Sequence, residues 1–154
     1  MMNDGISVLT SRLLIVDDQP QILRSVERIV RAELGKERTL VDTTMSPLRA
    51  LELIELNEYS VVLSDYIMPE LLGDELLERV KQRRPTATRI IMSGTNVDDA
   101  GKFYPGTQDV PSVLPHYALC KPFEIDEMLR IIKQGISDYL MRATGAAPLA
   151  DQNS

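Results

Sequence analysis

Five short apolar runs, separated by stretches of helical periodicity, set the strongest limit on how this sequence can fold. They are "RLLIV" (12–16), "TLVDT" (39–43), "VVLS" (61–64), "RIIM" (89–92) and "YALC" (117–120). Each has the length of a strand. In the first gap Pro20 occupies an early helical position. Ile22, Val26, Ile29 and Val30 then recur at helical spacing, and Gly35 ends the helix. In the second, Ser46 is a candidate N-cap, Pro47 follows it, and Ala50, Leu51 and Ile54 share a face. After Gly73, Leu76, Leu77 and Val80 do the same, and Pro85 closes the segment. A long amphipathic helix runs from Glu124 to about Met141, with Ile125, Leu129, Ile132, Ile136 and Leu140 inward. Strands alternating with helices predict a parallel sheet covered on both faces, an α/β fold of (βα)5 type. One domain over 11–142 is expected, between a flexible N-terminus (1–10) and a flexible tail (143–154).

The fourth gap breaks the pattern. Between Ser93 and Lys121 lie Pro105, Pro111 and Pro115 with Gly101 and Gly106. Proline removes a helical donor and clashes with the preceding turn, so the fourth helix is expected to be shortened, near Val97–Phe103, and followed by an irregular loop.

Composition narrows the partners. Seventeen basic against twenty-three acidic side chains leave a net charge of −6, which argues against direct nucleic-acid binding. No apolar run approaches the roughly 18–20 residues that span a bilayer, so no membrane contact is expected. The start, "MMNDGISVLTSR", lacks the basic and apolar regions of a signal peptide. The single thiol, Cys120, permits no internal disulfide. A cytoplasmic protein is the expectation.

The polar residues that end each run carry the chemistry. The first run ends in Asp17 and Asp18, the third in Asp65, the fourth in Ser93 and Gly94, the fifth in Lys121 and Pro122. Open α/β sheets bind ligands beyond the carboxyl ends of their strands, where the strand order reverses. In the order 2-1-3-4-5, strands 1 and 3 are neighbours across that point. Asp17, Asp18 and Asp65 should therefore converge, with Ser93 and Lys121 beside them. Three close carboxylates repel one another, and a divalent cation relieves the repulsion. An all-oxygen donor set suits Mg2+. Zinc lacks ligands, since His116 is the only histidine and Cys120 the only thiol. Both are read as structural. A carboxylate can attack phosphorus to form an acyl phosphate, with the charge on the phosphoryl oxygens met by a metal and a placed cation. Asp65 then reads as a nucleophile, Lys121 as the cation and Ser93 as a hydroxyl donor, with Gly94 leaving access. Singly, each has a plain alternative: helix-capping acids, a turn-forming Asp, ordinary Ser-Gly turn chemistry, a solvated lysine. Their joint order favours chemistry.

The segments "LLIVDDQP", "VVLSDYIMPELLGDELL", "RIIMSG" and "CKPF", in this order, resemble the receiver domain of two-component response regulators over roughly residues 10–142. The resemblance implies a flavodoxin-like (βα)5 fold of strand order 2-1-3-4-5. It implies that Asp65 accepts a phosphoryl group from a phosphohistidine on a histidine kinase or histidine phosphotransfer protein. It implies Mg2+ held by Asp18, Asp65 and the backbone carbonyl of Ile67, and by Asp17 mainly through water. It places Ser93 and Lys121 at the family's hydroxyl and phosphate-binding lysine, and makes the Lys121–Pro122 bond cis. Such a domain catalyses only its own phosphorylation and dephosphorylation. It then regulates a protein target or output domain through the surface near residues 95–123.

Two departures stand beside the likeness. The stretch from Ser93 to Lys121 is longer than the family's. Where the family has its switch aromatic this chain has Ala118, and strand alternation points Tyr117 to the opposite face. Signalling is accordingly expected through ordering of residues 95–115, with Phe103 or Tyr104 changing burial. Two rival functions are a receiver-like binding module that signals without phosphorylation, and an aspartyl-phosphate phosphohydrolase. The haloacid-dehalogenase-like pattern for the latter wants a second Asp two residues after the nucleophile, where this chain has Ile67. After Met141 only "RATGAAPLADQNS" follows, too short for an output domain, so the domain is expected either to stand alone or to serve an effector outside this sequence.

Overall fold

Residue parity along the strands sorts the core into two layers. The computed structural model describes residues 11–94 and 115–145. Its strands are β1 (Ser11–Val16), β2 (Thr39–Thr44), β3 (Val61–Asp65), β4 (Thr88–Ser93) and β5 (Tyr117–Cys120). They are all parallel, in the order β2-β1-β3-β4-β5. The described helices are α1 (Pro20–Leu34), α2 (Pro47–Leu56), α3 (Gly73–Arg83) and α4 (Ile125–Thr144). Leu13, Ile15, Leu63, Ile90, Met92 and Leu119 point into one layer, against Val26 and Val30 of α1 and Met128 and Ile132 of α4. Their neighbours Leu14, Val16, Val62 and Ile91 point into the other, against Ala50 and Ile54 of α2 and Leu76, Leu77 and Val80 of α3. A parallel sheet buried on both faces needs apolar residues at successive positions, which is what the short runs supply.

Local chemistry places the elements as the sequence predicts, with small shifts. The Ser46 hydroxyl accepts the Arg49 N–H at 3.1 Å, and Pro47 opens α2 behind it. The edge strand β2 is fixed by Asp42, which accepts from the Tyr59 hydroxyl at 2.7 Å and from Arg12 Nε at 2.9 Å. Strand β3 takes in Asp65 itself. Helix α4 runs to Thr144 and so includes Ala143 and Thr144 of the expected tail. The reason is tertiary. Arg142 donates to the Thr86 carbonyl at 3.0 Å and to the Thr88 hydroxyl, and Gly145 closes the helix at φ 72°. Gly135 lets α4 approach β4 closely, and the Thr88 hydroxyl donates to its carbonyl at 2.6 Å.

The expected short helix near 97–103, the loop after it and the anticipated ordering of 95–115 fall outside the described residues, apart from Pro115. So do residues 1–10 and 146–154. Among the described residues no helix is long and apolar enough to cross a membrane.

Candidate functional site

The carboxyl edge of the sheet gathers the predicted residues. Asp17 follows β1 directly. Its N–H donates to the Thr44 carbonyl at 3.2 Å, and its Oδ1 accepts the Gln19 N–H at 2.9 Å. It is wholly buried, whereas Asp18 is half-buried. Asp65 ends β3, 7% exposed, and its Oδ1 accepts the Tyr66 N–H at 2.9 Å. One carboxylate oxygen from each of Asp17, Asp18 and Asp65 lies within 4.8 Å of the others. Lys121, just past β5, spans two of them, with Nζ 3.2 Å from Asp17 Oδ2 and 3.1 Å from Asp65 Oδ1. Ser93 is buried at the end of β4, and its carbonyl accepts the Lys121 N–H at 2.8 Å. The Lys121–Pro122 bond is cis.

The electrostatics follow from this crowding. Burial, and then the Asp17 charge, push the Asp65 carboxyl above its ordinary pKa, while Lys121 pulls the other way. A buried carboxylate pair without a cation would be strongly destabilising. The lysine between them offsets that cost.

The loop from β3 to α3 holds Asp65 by its backbone. The Tyr66 N–H continues the ladder to the Met92 carbonyl at 2.9 Å, and the Gly73 N–H donates to the Tyr66 carbonyl at 2.6 Å. A Cβ on Gly73 would lie 2.1 Å from the Asp65 carbonyl oxygen, so only glycine fits. Between them Leu71 N–H donates back to the Pro69 carbonyl at 2.9 Å across Glu70, whose φ is 76°. Ile67 in this loop is 62% exposed. Sequence reasoning used Gly73 as a helix boundary and missed its contact with Asp65. It also missed Glu70, whose side chain gives no signal of a left-handed backbone.

His116 and Cys120, both read as structural from the sequence, sit in different surroundings. His116 Nδ1 accepts the Arg89 N–H at 2.9 Å while the His116 N–H donates to the Arg89 carbonyl at 2.8 Å, which prolongs the pairing of β4 with β5. Much of the residue is solvent-exposed, yet partial burial of the ring, aided by Arg89 and Arg142, pushes its pKa down to about 4. Cys120 is exposed. Tyr117 packs into the α1/α4 layer and Ala118 into the α2/α3 layer, as alternation requires. Lys121 also borders an apolar cavity of about 500 Å3 lined by Ile22, Val26, Ile29, Phe123 and Met128, which adds apolar surface and no reacting groups.

The model of the response regulator receiver domain matches residues 13–133. The chain belongs to this family. As a receiver domain it is 34% identical over 126 residues to the DNA-binding transcriptional regulator NtrC of Escherichia coli (strain K12), covering 81% of this chain and 24% of that protein. It is 30% identical over 125 residues to the response regulator ArlR of Staphylococcus saprophyticus, covering 80% and 51%. The receiver thus spans between about a quarter and a half of the length of these relatives. Among solved structures, a CheY-like receiver domain protein from Methanospirillum hungatei JF-1 is 25% identical with a TM-score of 0.70, covering 87% of this chain and 99% of that one. The receiver domain of sensor histidine kinase PA1611 from Pseudomonas aeruginosa PAO1, solved with magnesium in its active-site cleft, has a TM-score of 0.68 at 20% identity, covering 84% and 99%. The flavodoxin-like fold and the role of a two-component receiver follow from these matches together with the strand order.

Proposed function

We propose that this receiver accepts a phosphoryl group on Asp65 from a phosphohistidine of a histidine kinase or histidine phosphotransfer protein. The observation that carries the reading is Lys121 Nζ held between Asp65 and Asp17 beside a third carboxylate, Asp18. A carboxylate oxygen of Asp65 attacks phosphorus as the P–N bond breaks, and the electron pair returns to the imidazole nitrogen. An acyl phosphate results. Lys121 is placed to follow the charge from carboxylate to phosphoryl oxygens, and the Ser93 hydroxyl with the open Gly94 serves the same group.

The donor set fits Mg2+, because three carboxylates offer only hard oxygen ligands and the described residues hold no histidine or cysteine in the cluster. Asp18, Asp65 and the Ile67 carbonyl would hold the ion directly and Asp17 through water. Bound there, it supplies positive charge to the transferring phosphoryl group. Magnesium in the cleft of the PA1611 receiver supports the choice.

The receiver catalyses only its own phosphorylation and dephosphorylation, in the cytoplasm, and passes the state to a protein target or output domain. Incubation with acetyl phosphate and Mg2+, followed by intact mass measurement, tests this. Wild type should gain the mass of one phosphate and Asp65→Asn should gain none. Undiminished labelling of Asp65→Asn overturns the assignment. No gain in wild type would instead favour a binding module that works without phosphorylation.

A further inference from the structure

Arg89 is a buried cation at the opposite end of the sheet from Asp65. It is the second residue of β4 and 6% exposed, and its Nε is buried without a hydrogen-bond partner. Among the described residues no carboxylate forms an ion pair with it. A guanidinium taken out of water without an acceptor is costly, and such an atom calls for an acceptor from outside the chain.

Glu78 on α3 has the complementary defect. One of its oxygens accepts from Gln82 Nε2 at 3.1 Å, and the other is buried without a partner. Strand alternation turns Arg89, like Ile91, toward the layer of α2 and α3, so the two groups belong to facing elements. The Glu78 charge acts on Arg89, yet the two do not close into an ion pair. A donor without an acceptor thus stands near an acceptor without a donor.

The surroundings are basic. Strand register sets His116 beside Arg89, and its Nδ1 accepts the Arg89 N–H at 2.9 Å. The proton of the neutral ring is therefore on Nε2, a further donor. Arg142 and Lys81 both act on this ring. Arg142 gives its hydrogen bonds to the neutral oxygens of Thr86 and Thr88, and Lys81 is exposed on the last turn of α3. Against them stands Asp138, whose oxygens already accept from Tyr117 and Gln134.

We propose that Arg89, Glu78 and His116 form a binding site for hydrogen phosphate, separate from the carboxylate cluster. The deprotonated oxygens of the ligand accept from the Arg89 guanidinium and from His116 Nε2–H, with Lys81 and Arg142 adding charge. Its P–OH donates to Glu78, so both unpaired atoms are met by one molecule. Sulfate carries no proton and would set an oxygen against the Glu78 carboxylate, which rejects it. A phosphate monoester has likewise lost its last proton at about pH 7.5, so the ligand is free inorganic phosphate. None of this depends on Asp65 being the phospho-acceptor.

Amide NMR titration of the full chain without Mg2+, at about pH 7.5 and constant ionic strength, tests the site. Inorganic phosphate should give saturable shifts at 78–82, 88–90 and 116–117. Sulfate and methyl phosphate should bind about tenfold more weakly or less, the effect of losing one hydrogen bond to a charged group. Arg89→Met should abolish the saturable shifts, and an apolar chain in place of an unpaired buried charge should leave the fold intact. Glu78→Gln supplies a donor where the carboxylate had none, and should bring sulfate to within about threefold of phosphate. It decides the matter if Arg89→Met does not fold. Equal binding of phosphate and sulfate by wild type overturns the site, because charge alone would then explain it. Undiminished shifts in Arg89→Met, or continued rejection of sulfate by Glu78→Gln, overturn it too. So do shifts confined to 17–18, 65, 93–94 and 121, or no saturable shift at all.

Discussion

Glu70 in the loop after Asp65 and Gly73 at the start of α3 are constrained in opposite ways. Glu70 holds a left-handed φ of 76° at the centre of a three-residue turn, a conformation glycine adopts freely and other residues only at a cost. Glu70→Gly should therefore raise stability by about 1 kcal/mol, read as a higher urea midpoint at unchanged slope. A lower midpoint would mean that the glutamate side chain repays the strain through its own contacts. Gly73 is the reverse case, because a methyl group there would sit 2.1 Å from the Asp65 carbonyl oxygen. Gly73→Ala should destabilise by about 1–3 kcal/mol and slow labelling by acetyl phosphate, since the displaced backbone carries Asp65, the proposed acceptor. Normal labelling at normal stability would show that the loop yields without moving Asp65.

At the scale of elements, β5 begins on a contact that depends on pH. Only neutral His116 can accept the Arg89 N–H at Nδ1. Burial first, then Arg89, Arg142 and Lys81, hold its pKa near 4 against the ordinary 6.5, with Asp138 acting the other way. As pH falls, the unfolded chain binds this proton first. The contribution is fully present above about pH 6.5, declines below it and is lost by about pH 4. His116→Asn retains an acceptor but no titration, so its melting temperature should fall less than that of wild type between about pH 7 and pH 5. Equal falls would remove His116 from the acid response. The ends of elements show what the sequence could disclose. Ser46 and Pro47 were legible because a cap and the helix it starts are adjacent in the chain. The end of α4 was not, because it is set by Arg142 reaching Thr86 and Thr88, more than fifty residues away. The contact of Gly73 with Asp65 was hidden for the same reason on a shorter scale.

Over the whole molecule, function and fastening occupy opposite edges of one sheet. Asp17, Asp18, Asp65, Ser93 and Lys121 collect at the carboxyl edge, and their convergence was legible because strand order and strand ends together fix it. Thr88, His116 and Arg142 tie the other edge, and nothing local in the sequence announces them. The two layers differ in what β5 presents to them, Tyr117 to one and Ala118 to the other. Orientation along a strand has two values and no intermediate, so an aromatic moved by one residue changes the side of the sheet on which it packs. For the design of a biosensor this sets where the dye belongs. A fluorophore attached at the exposed Lys133 of α4 lies over the layer that holds Tyr117, whereas one on α2 or α3 lies over the layer that holds Ala118.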